Sequence, residues 1–235
     1  MSEPQKTSTA REYLEAIVIA VLFLGFTNTF VIKTFFIPSG SMEETLQVGD
    51  HLFVNRYIFG AAPTALERTL LPLRAPRRGD IVIFRSPKQP TVDLVKRLVG
   101  LPGDTIQAID KRLYVNGKRV EDDAYVVHKD PRLYPDRPGV DLERRQRDNF
   151  GPILVPEGHY FCLGDNRDES YDSRYWGAVP KRYLKGRAFL IYWSYGGGTS
   201  DGRWRGLGAK LKELGSTALG FATKTRWSRT LHLPR

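Results

Sequence analysis

The hydrophobic pattern of the chain changes twice. From Ala16 to Ile32 it reads AIVIAVLFLGFTNTFVI, 17 residues without a charge, with Tyr13 and Leu14 extending the run and Glu15 at its edge. A helix rises about 1.5 Å per residue and the hydrocarbon core of a bilayer is about 30 Å thick, so about 20 apolar residues cross it. The pattern predicts one short N-terminal transmembrane helix over residues 14–33. A cleaved leader is the nearest rival. Such a leader carries an apolar region of about 7 to 15 residues followed by a small-x-small site. Here the run is longer and ends in TNTFVIKTFF, with bulky residues where that site belongs. Lys6 and Arg11 precede the run and Lys33 follows it, which leans towards a cytoplasmic segment 1–13 and a body outside the cytoplasm.

Beyond the run the apolar period falls towards two. HLFVNRYIF (51–59), DIVIFRS (80–86), VDLVKRLVGL (92–101), RLYVNGKRV (112–120) and RAFLIYWSY (187–195) are rich in β-branched and aromatic residues, and Gly, Pro and Asp punctuate them. Asn116-Gly117 between short strand-like runs signals a type I′ hairpin. RRGDIVIF and LPGDTIQAI each set Gly-Asp before a strand, as turns do. There is no βα alternation, which argues against a parallel doubly wound sheet. The expected fold is mainly β, an antiparallel body over residues 34–195 with a polar, proline-bearing excursion from 121 to about 150.

After Tyr195 the pattern changes again. GGGTSDGRWRG is glycine-rich, and LGAKLKELGSTALGF places Leu207, Leu211, Leu214 and Ala218 at helical spacing. Residues 200–235 hold eight Lys or Arg and two Asp or Glu. A basic amphipathic segment lying on lipid and a surface helix covering the β body both fit this tail, 196–235. Gly208, Gly215 and Gly220 weaken either version.

Composition narrows the picture. With 235 residues, 41% of them hydrophobic, the chain can bury one good-sized core. A net charge of +10 favours acidic partners, nucleic acid or anionic lipid, without choosing between them. Cys162 is the single cysteine, so an intrachain disulfide and a cysteine-rich zinc site are excluded. Its neighbours Tyr160, Phe161 and Leu163 mark it as a small buried hydrophobe. His51, His128, His159 and His232 are scattered and form no metal-binding pair.

Three segments carry candidate chemistry. In PSGSMEETL, Pro38, Ser39 and Gly40 make a turn that exposes the Ser41 hydroxyl, with the Ser41 amide and the Ser39 hydroxyl able to face one oxyanion. The same residues also suit a linker. In VDLVKRLVG, strand alternation places Lys96 on one side with Leu94 and Leu98. A lysine there is either a snorkelling surface residue or a desolvated amine with a lowered pKa, fit to act as a base. GDNRDESYDSRYWG (164–177) is a polar loop in which Asp172 and Arg174 can pair and Ser170 can reach a neighbouring side chain. It lacks the spacing of a calcium loop.

Taken together, these segments resemble the bacterial type I signal peptidases. PSGSM matches that family's nucleophile segment, GDHLFVNR (49–56) its Gly-Asp-x-x-x-Val-x-Arg segment, KRLVGLPGD (96–104) its lysine segment, and GDNRDESYDSR its Gly-Asp-Asn-Arg-Asp-x-Ser-x-Asp-Ser-Arg segment. The resemblance implies Ser41 as nucleophile, Lys96 as general base, Ser39 in the oxyanion hole, Ser170 hydrogen-bonded to Lys96, and Asp172 with Arg174 as a supporting ion pair. It implies an antiparallel β core with an inserted β-rich subdomain, here about 105–150, and shallow pockets lined by Phe35, Ile37, Met42, Leu46, Leu52, Leu94 and Val95. It also implies a single-pass enzyme of the inner (plasma) membrane that cleaves signal peptides of exported preproteins after small residues at −1 and −3. Membrane lipid and these preproteins are the expected partners, nucleic acid is not, and neither cofactor nor metal is needed. The rivals are a Ser-Lys self-cleaving repressor, which needs a DNA-binding domain, a membrane-anchored lipid- or nucleic-acid-binding protein, and a Ser-His-Asp hydrolase using His51 or His159.

Overall fold

A computed structural model describes residues 9–26, 32–60, 73–197 and 207–234. Helix α1 (Thr9–Phe26) precedes β1 (Ile32–Phe36), β2 (Asp50–Asn55), β3 (Ile81–Arg85), β4 (Asp93–Gly100), β5 (Thr105–Ile109), β6 (Arg112–Val115) and β7 (Lys118–Arg119). Then come α2 (Leu142–Asp148), β8 (Phe150–Leu154), β9 (His159–Leu163), the single turn α3 (Ser173–Trp176), β10 (Val179–Pro180), β11 (Leu184–Ser194) and α4 (Leu207–Lys224). All strand pairs are antiparallel. A seven-stranded sheet runs β1-β2-β11-β3-β4-β9-β10, and a four-stranded sheet runs β7-β6-β5-β8.

The strand patterns follow from what each side packs against. IVIFR in β3 is apolar at successive positions because both sides are covered. Ile81 and Ile83 join a core with Ile37, Met42, Leu46, Leu52 and Val54, while Val82 and Phe84 join a second with Leu98, Tyr160 and Cys162. In β2, Asp50, Leu52 and Val54 point inwards and alternate with half-buried His51, Phe53 and Asn55. A third core, with Ile106, Leu113, Val115 and Phe161, sits between the two sheets. Asn116 and Gly117 make the two-residue link from β6 to β7 with positive φ of 52° and 74°, the backbone that a type I′ turn requires and that these residues adopt at low cost.

The N-terminal span departs from expectation. The helix begins at Thr9 and ends at Phe26, and it takes in Arg11, Glu12 and Glu15. Its apolar part, from Ala16 onward, is about 16 Å long at 1.5 Å per residue. No described helix is long and apolar enough to cross a membrane. Ile32 and Lys33, expected at the end of the span, instead belong to β1, opposite Asn55 and Val54 of β2. The β-branched and aromatic run IKTFF gains a ladder of backbone hydrogen bonds there that a helix end cannot offer. Residues 27–31 lie outside the described residues, as does most of GGGTSDGRWRG. In α4 the side chains of Leu207, Leu211 and Leu214 also lie outside them, and Ala218 is exposed.

Candidate active site

Ser41 opens a turn between β1 and β2. The turn is held by hydrogen bonds from Glu43 N to Gly40 O (3.1 Å) and from Leu46 N to Met42 O (2.7 Å). Met42 and Leu46 drive it inwards by entering the first core. Lys96 comes from the middle of β4, opposite Val82 of β3 and between Leu94 and Leu98. Its Nζ lies 2.5 Å from Ser41 Oγ. The loop after β9 closes the site. Asn166 N donates to Ser41 O (3.2 Å) and Asn166 Nδ2 to Gly40 O (3.3 Å). Gly164 permits this approach, because a Cβ there would run into the carbonyl oxygen of Ser41 and the hydroxyl of Ser170.

Lys96 is 4% exposed. Burial among apolar side chains lowers its pKa to about 8; the nearby charges of Asp172 and Arg174 act in opposite directions. Among the described residues, no carboxylate lies within ion-pair distance of the amine. Asp172 is held away from it. Its carboxylate takes Arg174 in a fork, at 2.9 Å from Nε and 2.8 Å from Nη2, and accepts from Gly164 N at 3.0 Å. Burial alone would raise the Asp172 pKa, but the Arg174 charge and these hydrogen bonds outweigh it and hold the carboxyl below its ordinary range. Arg174 also donates to the carbonyls of Arg167, Ser170 and Arg147, so this one pair ties the whole loop.

The surroundings of the other expected residues differ from the sequence reading in two respects. Ser170 is buried, but among the described residues its hydroxyl has no hydrogen-bond partner. The expected bond to Lys96 is absent, and the side chain instead packs on Gly164. The apolar set also divides. Of Phe35, Ile37, Met42, Leu46, Leu52, Leu94 and Val95, only Leu94 lines the cleft beside Ser41. Ile37, Met42, Leu46 and Leu52 lie inside the first core, with Phe35 and Val95 packed against it. Strand and turn packing consumes these side chains because they fill the space between the Gly40–Leu46 turn and Ile81, Ile83, Ala188 and Ile191 of the sheet. The cleft holds about 370 Å³ and is lined by Ser39, Gly40, Ser41, Ser86, Lys88, Gln89, Val92, Leu94, Lys96, Glu169 and Tyr171.

Sequence reasoning missed the buried cation beside Lys96. Arg97 forks onto Asp165 at 2.8 Å and 2.7 Å, reaches Thr45 Oγ1 at 3.2 Å, and stacks 3.8 Å from the centre of the Tyr125 ring. Asp165 accepts from Thr45 Oγ1 at 2.6 Å. Asp165 stands in plain view in the GDNRD segment, but its partner lies 68 positions away. The histidines stand elsewhere: the His51 ring stacks on Trp193, and His159 Nδ1 lies 2.9 Å from the carbonyl of Glu157. Cys162 is fully buried, and desolvation pushes its thiol up, away from reactivity.

The family model for signal peptidase, peptidase S26, matches residues 10–193. Signal peptidase I of Pseudomonas aeruginosa is 35% identical over 217 residues, which cover 82% of this chain and 74% of the relative. Probable signal peptidase I-2 of Synechocystis sp. is 36% identical over 200 residues, covering 81% and 77%. Signal peptidase I of Aquifex aeolicus is 32% identical over 222 residues, covering 76% and 81%. With a half-buried serine touching a buried lysine and a match over most of its length, the chain belongs to the signal peptidase family, peptidase S26, and is a serine endopeptidase.

Proposed function

We propose that this endopeptidase removes signal peptides from exported preproteins after small residues at −1 and −3, with Ser41 as nucleophile and Lys96 as general base. The contact of 2.5 Å between Lys96 Nζ and Ser41 Oγ carries this reading, and the lowering of the amine to about 8 gives it chemical sense. A serine hydroxyl needs a base, and a desolvated amine can accept its proton near neutral pH. Neutral Lys96 takes the proton as Ser41 Oγ attacks the scissile carbonyl. The Ser41 amide and the Ser39 hydroxyl receive the developing oxyanion. Lys96 returns the proton to the departing amine of the mature chain, then deprotonates the water that cleaves the acyl ester. Asp172 and Arg174 support the site by holding the loop that closes over Ser41, and Ser170 fills the space beside Gly164.

A preference for small side chains fits a cleft bounded by Leu94 and Val92 and backed by locked core residues, since strong exclusion by size needs rigid walls. The same reading places the enzyme at the inner (plasma) membrane, with its catalytic body on the extracytoplasmic side. Helix α1 supports lipid contact: Ile17, Val18, Ile19, Val21, Leu22, Phe23 and Leu24, on all sides of the helix, are exposed. From Ala16 on, α1 is apolar on every side, and such a surface suits an apolar surrounding. The test is cleavage of a purified preprotein by wild type and by Ser41→Ala. Loss of processing in a folded Ser41→Ala sample is expected, because no other group forms the acyl-enzyme; activity within about tenfold of wild type would overturn the assignment.

A further inference from the structure

Residues 225–234 return to the segment that follows the candidate nucleophile. Thr225 bridges to Tyr195 and His232 to Ile191, so the chain end runs along β11. A single 3-10 turn at Trp227–Arg229 then aims two arginines at residues 45–50. Arg226 donates to Gln47 Oε1, to Val48 O at 2.5 Å and to Tyr195 O at 3.1 Å. Arg229 donates to Thr45 O at 2.9 Å and to Asp50 at 2.6 Å and 3.4 Å. Asp50 is fully buried and also takes Ser194 Oγ at 2.6 Å and Gln47 N at 2.9 Å. From the other side, the Thr45 hydroxyl is held by Asp165 and Arg97. Thr45 therefore sits in a vice, its carbonyl fixed by the chain end and its hydroxyl by the loop pair.

This vice bears on Ser41. Thr45 Oγ1 donates to Asp165, and the next residue, Asn166, donates its backbone N–H to Ser41 O, while Met42 and Leu46 on either side of the segment are fixed in the first core, so a shift of Thr45 bears on the nucleophile. The two arginines satisfy the carbonyls of Thr45 and Val48, which apolar packing in the first core cannot do. The family match ends at residue 193, before either arginine.

We infer that Arg226 and Arg229 are positioning residues for acyl transfer: the chain end straps the Thr45–Asp50 segment so that Ser41 Oγ stays in reach of Lys96 Nζ. The inference rests on the proposed roles of Ser41 and Lys96. Neither arginine meets the substrate. The planar fork of Arg229 serves a carbonyl and a carboxylate at once, which a lysine ammonium does less well.

The test uses the full chain. Turnover and KM for a preprotein are measured for wild type, Arg229→Met, Arg229→Lys, Arg226→Met and Ser41→Ala, at a temperature where circular dichroism shows each to be folded. Arg229→Met is expected to lower kcat about 10- to 100-fold, the scale of an ångström-sized misplacement of a reacting group, with KM changed by less than about twofold because the cleft is untouched. Arg229→Lys should recover part of the loss, and Arg226→Met should fall between. Should Arg229→Met not fold, the neutral pair Asp50→Asn with Arg229→Gln removes the buried charges together, and the same fall in kcat is expected. Wild-type kcat in any folded Arg229 variant, or a rise in KM with kcat intact, overturns the inference. With Ser41→Ala inactive, that result sinks the strap alone. If Ser41→Ala remains active, the nucleophile assignment fails and takes the strap with it.

Discussion

Lys96 and Arg97 are adjacent on β4, and alternation sends their side chains to opposite sides of the strand. Both are buried, at 4% and 3% exposure. Arg97 meets a carboxylate in a fork, a threonine hydroxyl, the Gly79 carbonyl and the face of Tyr125. Lys96 meets the Ser41 hydroxyl among apolar neighbours, while the carboxylate nearest in charge effect, Asp172, is already engaged by Arg174. Burial with a full set of acceptors keeps a cation charged and makes it a fastener. Burial without a carboxylate makes the charged form of a lysine costly, which suits it to the base role proposed for Lys96. The difference has two causes: an arginine keeps its proton at any working pH, whereas a lysine amine can give it up once it is desolvated and no carboxylate pairs with it.

The sharpest way to break the comparison is to make Lys96 like its neighbour. Lys96→Arg puts an always-charged guanidinium beside Ser41, which cannot accept a proton at any working pH. Turnover of a preprotein should vanish, and substantial activity in the Lys96→Arg enzyme would reduce Lys96 to a mere positive charge. Breaking the other side has a different readout. Asp165→Ala removes the carboxylate that faces the buried Arg97 and should cost about 3–5 kcal/mol of stability in urea unfolding; a change under about 1 kcal/mol would show that Arg97 does not depend on the pair. The wild type sharpens the contrast through pH. In the proposed mechanism the neutral amine is the active form, and its pKa is lowered to about 8, so activity should climb about tenfold per unit as pH rises towards that value and level off above it. A rate that is flat from about pH 6 to 9 would contradict a titrating lysine. The smallest effect is expected at Ser170, whose hydroxyl has no hydrogen-bond partner among the described residues. Ser170→Ala should reduce kcat by less than about tenfold, since no made hydrogen bond is lost; a larger fall would mean that the hydroxyl engages Lys96 during turnover.

The contrast between the two cations also measures how far the sequence can be read. Local grammar is enough for the strand runs, the Asn116-Gly117 turn and the antiparallel class, because period, β-branching and positive-φ residues act within a few positions. The four segments that resemble the signal peptidases point to Ser41 and Lys96 without any knowledge of the fold. The Asp172–Arg174 pair is legible for the same reason, being two residues apart. The end of the apolar run misleads, since IKTFF is equally apolar as a helix end and as strand β1, and only the presence of β2 beside it decides between them.

Local order along the chain therefore sets the class of fold, the chemical groups available and their turns. Whether those groups are dry, paired or free is a matter of long-range packing. Lys96 reads as snorkelling or desolvated until Val82, Leu94 and Leu98 are seen around it, and Ile37, Met42, Leu46 and Leu52 read as pocket walls until they are seen filling the core. Arg97 finds Asp165 across 68 positions, and Arg229 finds Thr45 across 184. Desolvation and long-range pairing depend on which distant segments arrive at the same place, and no period or spacing along the chain encodes that arrival.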